Sequence, residues 1–149
     1  MASCPIAGYS INENVARLVA FWVVVAIALV LVLPLPWARW ILLALACDFG
    51  LRGFSRPRWS VLARMSGSIL TKLGVPSRRV DAGPKRFAAR IGLGFSIALL
   101  AMSWTSGVEV FRVAAGMLGL CAALEFSLGL CVGCHLWSAW WALRQRVVA

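Results

Sequence analysis

The run from Val15 to Leu33 reads VARLVAFWVVVAIALVLVL, almost pure Val, Ala, Leu and Ile after a single Arg17. A helix crossing the hydrocarbon core of a bilayer takes about 20 mainly apolar residues, and this run meets that length. Its apolar core is longer than the ~7–15 residues of a secretory h-region, no small-x-small cleavage site follows, and more apolar runs come after it. The segment therefore reads as a retained span. Just before it, Ser10-Ile11-Asn12-Glu13 fits a capping box, with Ser10 accepting from the Glu13 N–H and the Glu13 side chain reaching back.

The whole chain agrees with that reading. Of its 149 residues 62% are hydrophobic and only 13% charged, and the mean hydropathy is +0.87. A soluble domain is nearer half apolar and about a quarter charged. So much apolar surface does not fit inside so small a globule, and a single domain in a lipid solvent is expected. The net charge of +10 does not mark a nucleic-acid binder, because the bases cluster between apolar runs instead of forming one exposed patch.

Working outward, Pro34-Leu35-Pro36 ends the first helix, since proline lacks the donor and restricts its neighbour. A second apolar run follows over 37–54, holding Arg39, Asp48 and Arg52. In the polar middle loop, Leu62, Met65, Ile69 and Leu73 recur at helical spacing, which predicts an amphipathic helix over 58–73, either on the membrane surface or packed on the span ends. Gly83-Pro84 opens a third span, 85–104, with proline in the first turn. A turn at 105–108 leads to a fourth, 109–134, and the Trp-rich tail 136–146 is expected along the interface. The expected fold is all-α: a membrane bundle of about four transmembrane helices with an interfacial helix in the middle loop. Arg17, the middle loop and the tail carry nearly all Lys and Arg, with Arg39 and Arg112 alone at the opposite turns. That bias puts both termini in the cytoplasm.

Chemistry points to the cysteines. Cys131-Val132-Gly133-Cys134 places two thiols three apart, neighbours on a helix. They suit a disulfide, a soft metal or plain packing, and at the C-terminal end of a helix ending at Cys134 the dipole opposes a thiolate. Gly129 and Gly133 also form a G-x-x-x-G packing step. With His135 the motif reads C-x-x-C-H, the c-type haem pattern, but the predicted cytoplasmic side and the hydrophobic helix count against haem. Cys4-Pro5 offers a third thiol on the same side or an incidental cysteine. Cys47 and Cys121 read as packing residues. Asp48 is either a proton acceptor beside the thiols or half of an Asp48–Arg52 pair four apart. Glu125, mid-helix without a neighbouring base, is either an interhelical hydrogen-bonding group or a proton or substrate site. Glu109 serves the dipole of the last span. Gly92-Leu93-Gly94 is not a dinucleotide fingerprint, as no strand precedes it. No resident cofactor is expected, and the metal question stays open at the C-x-x-C pair.

Several short motifs stand in order: Gly83-Pro84-Lys85-Arg86-Phe87-Ala88-Ala89, Ile91-Gly92-Leu93-Gly94-Phe95, Ala122-Ala123-Leu124-Glu125 and Gly129-Leu130-Cys131-Val132-Gly133-Cys134. With Cys4-Pro5 and Asn12-Glu13-Asn14-Val15-Ala16-Arg17, the chain resembles domain of unknown function 4395, a bacterial integral membrane family. The resemblance implies the bacterial inner membrane and a thioredoxin-like or sulfurtransferase partner for Cys131 and Cys134, but no assigned activity. His135 stands where the family leads one to expect an acidic residue. The functional expectation is a membrane thiol-redox or sulfur-handling protein. The alternatives are a transporter of a small sulfur compound, built as a homo-oligomer, and a non-catalytic membrane subunit.

Overall fold

The computed structural model describes residues 10–55, 59–105 and 107–148, without the side chains of residue 137 and residues 145–148. The described chain is all-α apart from two short strands: β1 Ser10–Asn12, α1 Glu13–Val32, α2 Leu35–Phe54, α3 Val61–Lys72, β2 Arg79–Asp81, α4 Ala82–Thr105, α5 Val108–Leu128 and α6 Val132–Val148. Three of the helices, α1, α4 and α5, are long and apolar enough to cross a membrane. Their outward faces are hydrocarbon: Val113 and Leu120 on α5, for instance, are 65% and 63% exposed, a cost in water and none in lipid. Trp37, Trp40 and Trp104 lie exposed at one end of the bundle and Trp59 and Trp140 toward the other, as aromatic belts do at both membrane surfaces.

The helices pair α1 with α5 and α2 with α4. Pro34 joins α1 to α2 and the residues around Gly107 join α4 to α5, so both hairpin turns fall at one end, where the pairs pack together. Ile27, Leu42 and Leu99 are fully buried there, beside Phe111 and Ala115. Arg39 closes this end, its guanidinium donating to Ser103 Oγ and O at 3.1 and 2.7 Å and lying over the Trp104 ring. Toward the opposite end, Gly92 lets the Phe49 ring rest on α4; a Cβ there would come within 2.7 Å of it.

At that opposite end β1 and β2 form an antiparallel ladder, Ile11 opposite Val80. Because α1 follows β1 and α4 follows β2, the ladder straps the starts of these two helices together. The helix start differs from the expected capping box: Asn12, not Ser10, is the N-cap, its side chain accepting from the Asn14 N–H. Ser10 belongs to the ladder, and Glu13 instead pairs with Arg78 at 3.0 Å. The helix expected over 58–73 forms as α3; it packs against α1 with Ser66 fully buried, while Met65 and Leu73 of the apolar stripe are exposed.

Candidate functional site

The apolar run expected to continue as one helix to Cys134 breaks at Gly129. This glycine takes φ +69°, a left-handed conformation that costs other residues steric strain, and its N–H donates to Glu125 O. Arg17 completes the stop, donating to the Phe126 and Ser127 carbonyls at 3.0–3.3 Å. The chain then turns through Leu130 and Cys131 and starts α6 at Val132, with the His135 N–H donating to Cys131 O at 3.1 Å. Cys131 thus stands at the N-terminus of a helix, and the dipole acts in the opposite sense to that expected: it favours a thiolate. Gly133 no longer shares a helix with Gly129. It lets α6 lie against α4, where a Cβ would meet Ala88 at 2.7 Å.

The spacing of three now places both sulfurs on one first turn. Cys131 and Cys134 stand close enough for a hydrogen bond from the Cys134 thiol and backbone N–H to the Cys131 sulfur. That side-chain hydrogen bond, reinforced by the backbone one and the charge of Lys85, holds the Cys131 thiol below the usual range, against burial and the charge of Glu125. Cys134 is pushed far above it, because its proton is committed to Cys131 and burial disfavours a second charge. Cys131 is buried and Cys134 half-buried.

Glu125 finds its partner in Lys85, Nζ to Oε1 at 2.7 Å across α4 and α5. No base neighbours Glu125 in the sequence, and Lys85 reaches it from another helix. A hairpin folded near residue 106 brings positions at similar distances from the turn together, and Lys85 is the base on that register. Asp48 sits apart: it pairs with Arg52 at 2.8 Å and accepts from Ser60 Oγ and the Leu62 N–H, tying the end of α2 to the start of α3. Arg52 lies within electrostatic reach of Glu125. Cys47 and Cys121 are exposed on the helices, not packed inside as expected. Cys4 lies outside the described residues, and among those described no three His, Cys, Asp or Glu side chains cluster as for a metal.

Cys131, Lys85, Glu125 and Arg52 meet at a cavity of about 580 Å³ between the two helix pairs. Cavities of roughly 300–1,000 Å³ suit small organic ligands. Its walls come from α1, α4 and α5, with Ile11 and Asn12 of the ladder, Ala63 and Arg64 of α3 and the first turn of α6 closing it. The family described as a domain of unknown function (DUF4395) matches this chain over residues 11–141. The chain belongs to that family. No curated protein and no solved structure matches it. The DUF4395 match takes in every residue named around the cavity, from the ladder to the C-x-x-C turn.

Proposed function

We propose that this DUF4395 protein is a membrane thiol-redox component in which Cys131 is the attacking thiolate and Cys134 the resolving thiol. The observation that supports this reading is the place of Cys131, directly ahead of the first turn of α6 with Cys134 three residues on, lining the cavity together with Lys85. In the forward direction Cys131 attacks a disulfide sulfur of a thioredoxin-like or sulfurtransferase partner. The partner's other sulfur leaves as a thiolate and takes a proton. Cys134 then loses its proton and attacks the Cys131 sulfur, releasing the partner as a dithiol and leaving a Cys131–Cys134 disulfide. Two electrons have moved from this chain to the partner, and the reverse sequence returns them.

In the bilayer we take α2 as a fourth span. Its charges are met internally, Asp48 by Arg52 and Arg39 by Ser103 and Trp104, so its cost in lipid is reduced. Helix α3 lies at the surface over the ladder end. Of 15 Lys and Arg, only Arg39 and Arg112 belong to the turn end, which favours a bacterial inner membrane orientation with both termini and the cysteines cytoplasmic.

The test is trapping. With Cys134→Ser the second step cannot occur, so a mixed disulfide at Cys131 should accumulate in cells and resolve on reduction. The Cys131→Ser/Cys134→Ser double variant should show none. An adduct pattern identical in wild type, single and double variants would reject the proposal.

A further inference from the structure

The cavity has a composition of its own that the thiol reading does not use. Most of its surface is hydrocarbon, supplied by residues such as Val15, Val19, Val23 and Phe95, while cations gather where α2, α3 and α4 approach it: Arg52, Arg64 and Lys85. Arg52 pairs with Asp48 through Nε, but its Nη2 is buried without a hydrogen-bond partner. Lys85 gives one of its N–H groups to Glu125, leaving two for another acceptor. Arg64 pairs with no acid among the described residues.

A buried donor without an acceptor is costly, and so is a hydrocarbon-walled space filled with water. A neutral oil would satisfy the walls and leave the donors unmet; a small anion would do the reverse. A molecule with an apolar chain and an acidic head meets both, and the bilayer around the three apolar helices is its natural source. We propose that the cavity holds a hydrocarbon chain of an anionic lipid, with its phosphate or carboxylate head held by Arg52, Lys85 and Arg64.

Charge complementarity selects the occupant, and the geometry places it. The head sits at the basic end of the bundle, level with lipid headgroups, and the chain points toward the Phe95 and Met117 level of the helices. This site stands whether or not the cysteines cycle, because the head is held by Arg52, Lys85 and Arg64 and the chain by the hydrocarbon of the walls.

The full chain, purified in mild detergent and stripped of lipid, is titrated with phosphatidylglycerol, palmitate or phosphatidylcholine of matched chain length. Native mass spectrometry reads stoichiometry, and protection of the lining residue Cys121 from a maleimide reads occupancy. One equivalent of phosphatidylglycerol or palmitate should bind and protect Cys121, whichever of the two is tighter naming the headgroup. Phosphatidylcholine should bind at least about tenfold more weakly, since its choline cation is repelled by the same three bases. Arg64→Gln, on an exposed helix face, should weaken anionic lipid severalfold while the helical circular dichroism stays unchanged; Arg52→Gln should weaken it further where it folds. Ala16→Phe, which fills the cavity, should abolish protection. Equal binding of phosphatidylcholine or of a neutral quinone, affinity indifferent to Arg64→Gln and Ala16→Phe, or binding that leaves Cys121 unprotected would each overturn the proposal.

Discussion

At the turn end of the bundle, Pro34 and Gly107 draw α1, α2, α4 and α5 together around Ile27, Leu42 and Leu99, all fully buried. At the ladder end the two helix pairs part around a cavity of about 580 Å³, and a two-stranded strap, α3 and the first turn of α6 close the gap. The first region holds two bases, Arg39, satisfied by Ser103, and the exposed Arg112 beside Glu109; the second holds the other ion pairs, the thiols and most of the basic residues. Membrane helices gain little from expelling water from one another, so contact between packed side chains decides their stability. The contrast teaches that this chain secures its fold at one end and leaves the other open around a cavity that Cys131 lines.

Substitutions at both ends test that division. The largest effect is expected from breaking the charge pair at the open end. Lys85→Met leaves the half-buried Glu125 carboxylate without its hydrogen-bonded cation, which should cost roughly 3–5 kcal/mol; adding Glu125→Leu should recover most of it, as read by denaturant unfolding in micelles. If the double variant is no better than the single, the pair is not the reason Lys85 matters. Next, Leu42→Ala at the turn end should cost roughly 2–5 kcal/mol, because the neighbours close the new void only in part. Val15→Ala, which already faces empty space, should cost under about 1 kcal/mol by the same unfolding assay. Comparable losses at both sites would erase the distinction between the ends.

A smaller loss is expected at the helix break. Gly129→Ala forces a Cβ into φ +69° and should cost about 1–2 kcal/mol, while slowing alkylation of Cys131 as α5 tries to continue through the turn. The smallest change is electrostatic. Cys134→Ala removes the S–H that donates to Cys131 and leaves the backbone N–H, so the Cys131 thiol should titrate at higher pH and react more slowly near neutrality, with unfolding unchanged.

Much of the bundle was legible in the sequence because lipid imposes length and composition together. Val15–Leu33 could be little else, and Pro34 and Gly83-Pro84 mark their boundaries by their backbone chemistry. The break at Gly129 was not legible. The stretch 109–134 is nearly unbroken in hydropathy, and a glycine inside it reads equally well as a packing step, since its left-handed backbone leaves no trace in composition. The consequence was a reversed dipole at Cys131. The ladder escaped for a similar reason: strands of three residues are too short to show alternation. At the site, Cys131, Cys134 and Glu125 were picked out by residue type, and they do line or adjoin one cavity. Lys85 was missed because its role depends on how the hairpin of α4 and α5 closes, a register that helix spacing alone does not specify. Arg17 was counted only for topology, yet it holds the C-terminus of α5. For Asp48, Ser60 was the unread signal, a hydroxyl just ahead of α3 that claims one of its oxygens.

The most direct measurement is the pH dependence of alkylation at Cys131, followed by peptide mapping in bilayer discs with Cys4, Cys47 and Cys121 replaced by Ser. In the folded protein the rate should rise through an inflection below that of the same thiol in denaturant, and Cys134→Ala should move the inflection upward. An inflection at or above the denatured value, or one indifferent to Cys134→Ala, would contradict a helix-capping thiolate and with it the sulfur chemistry assigned to this end of the molecule.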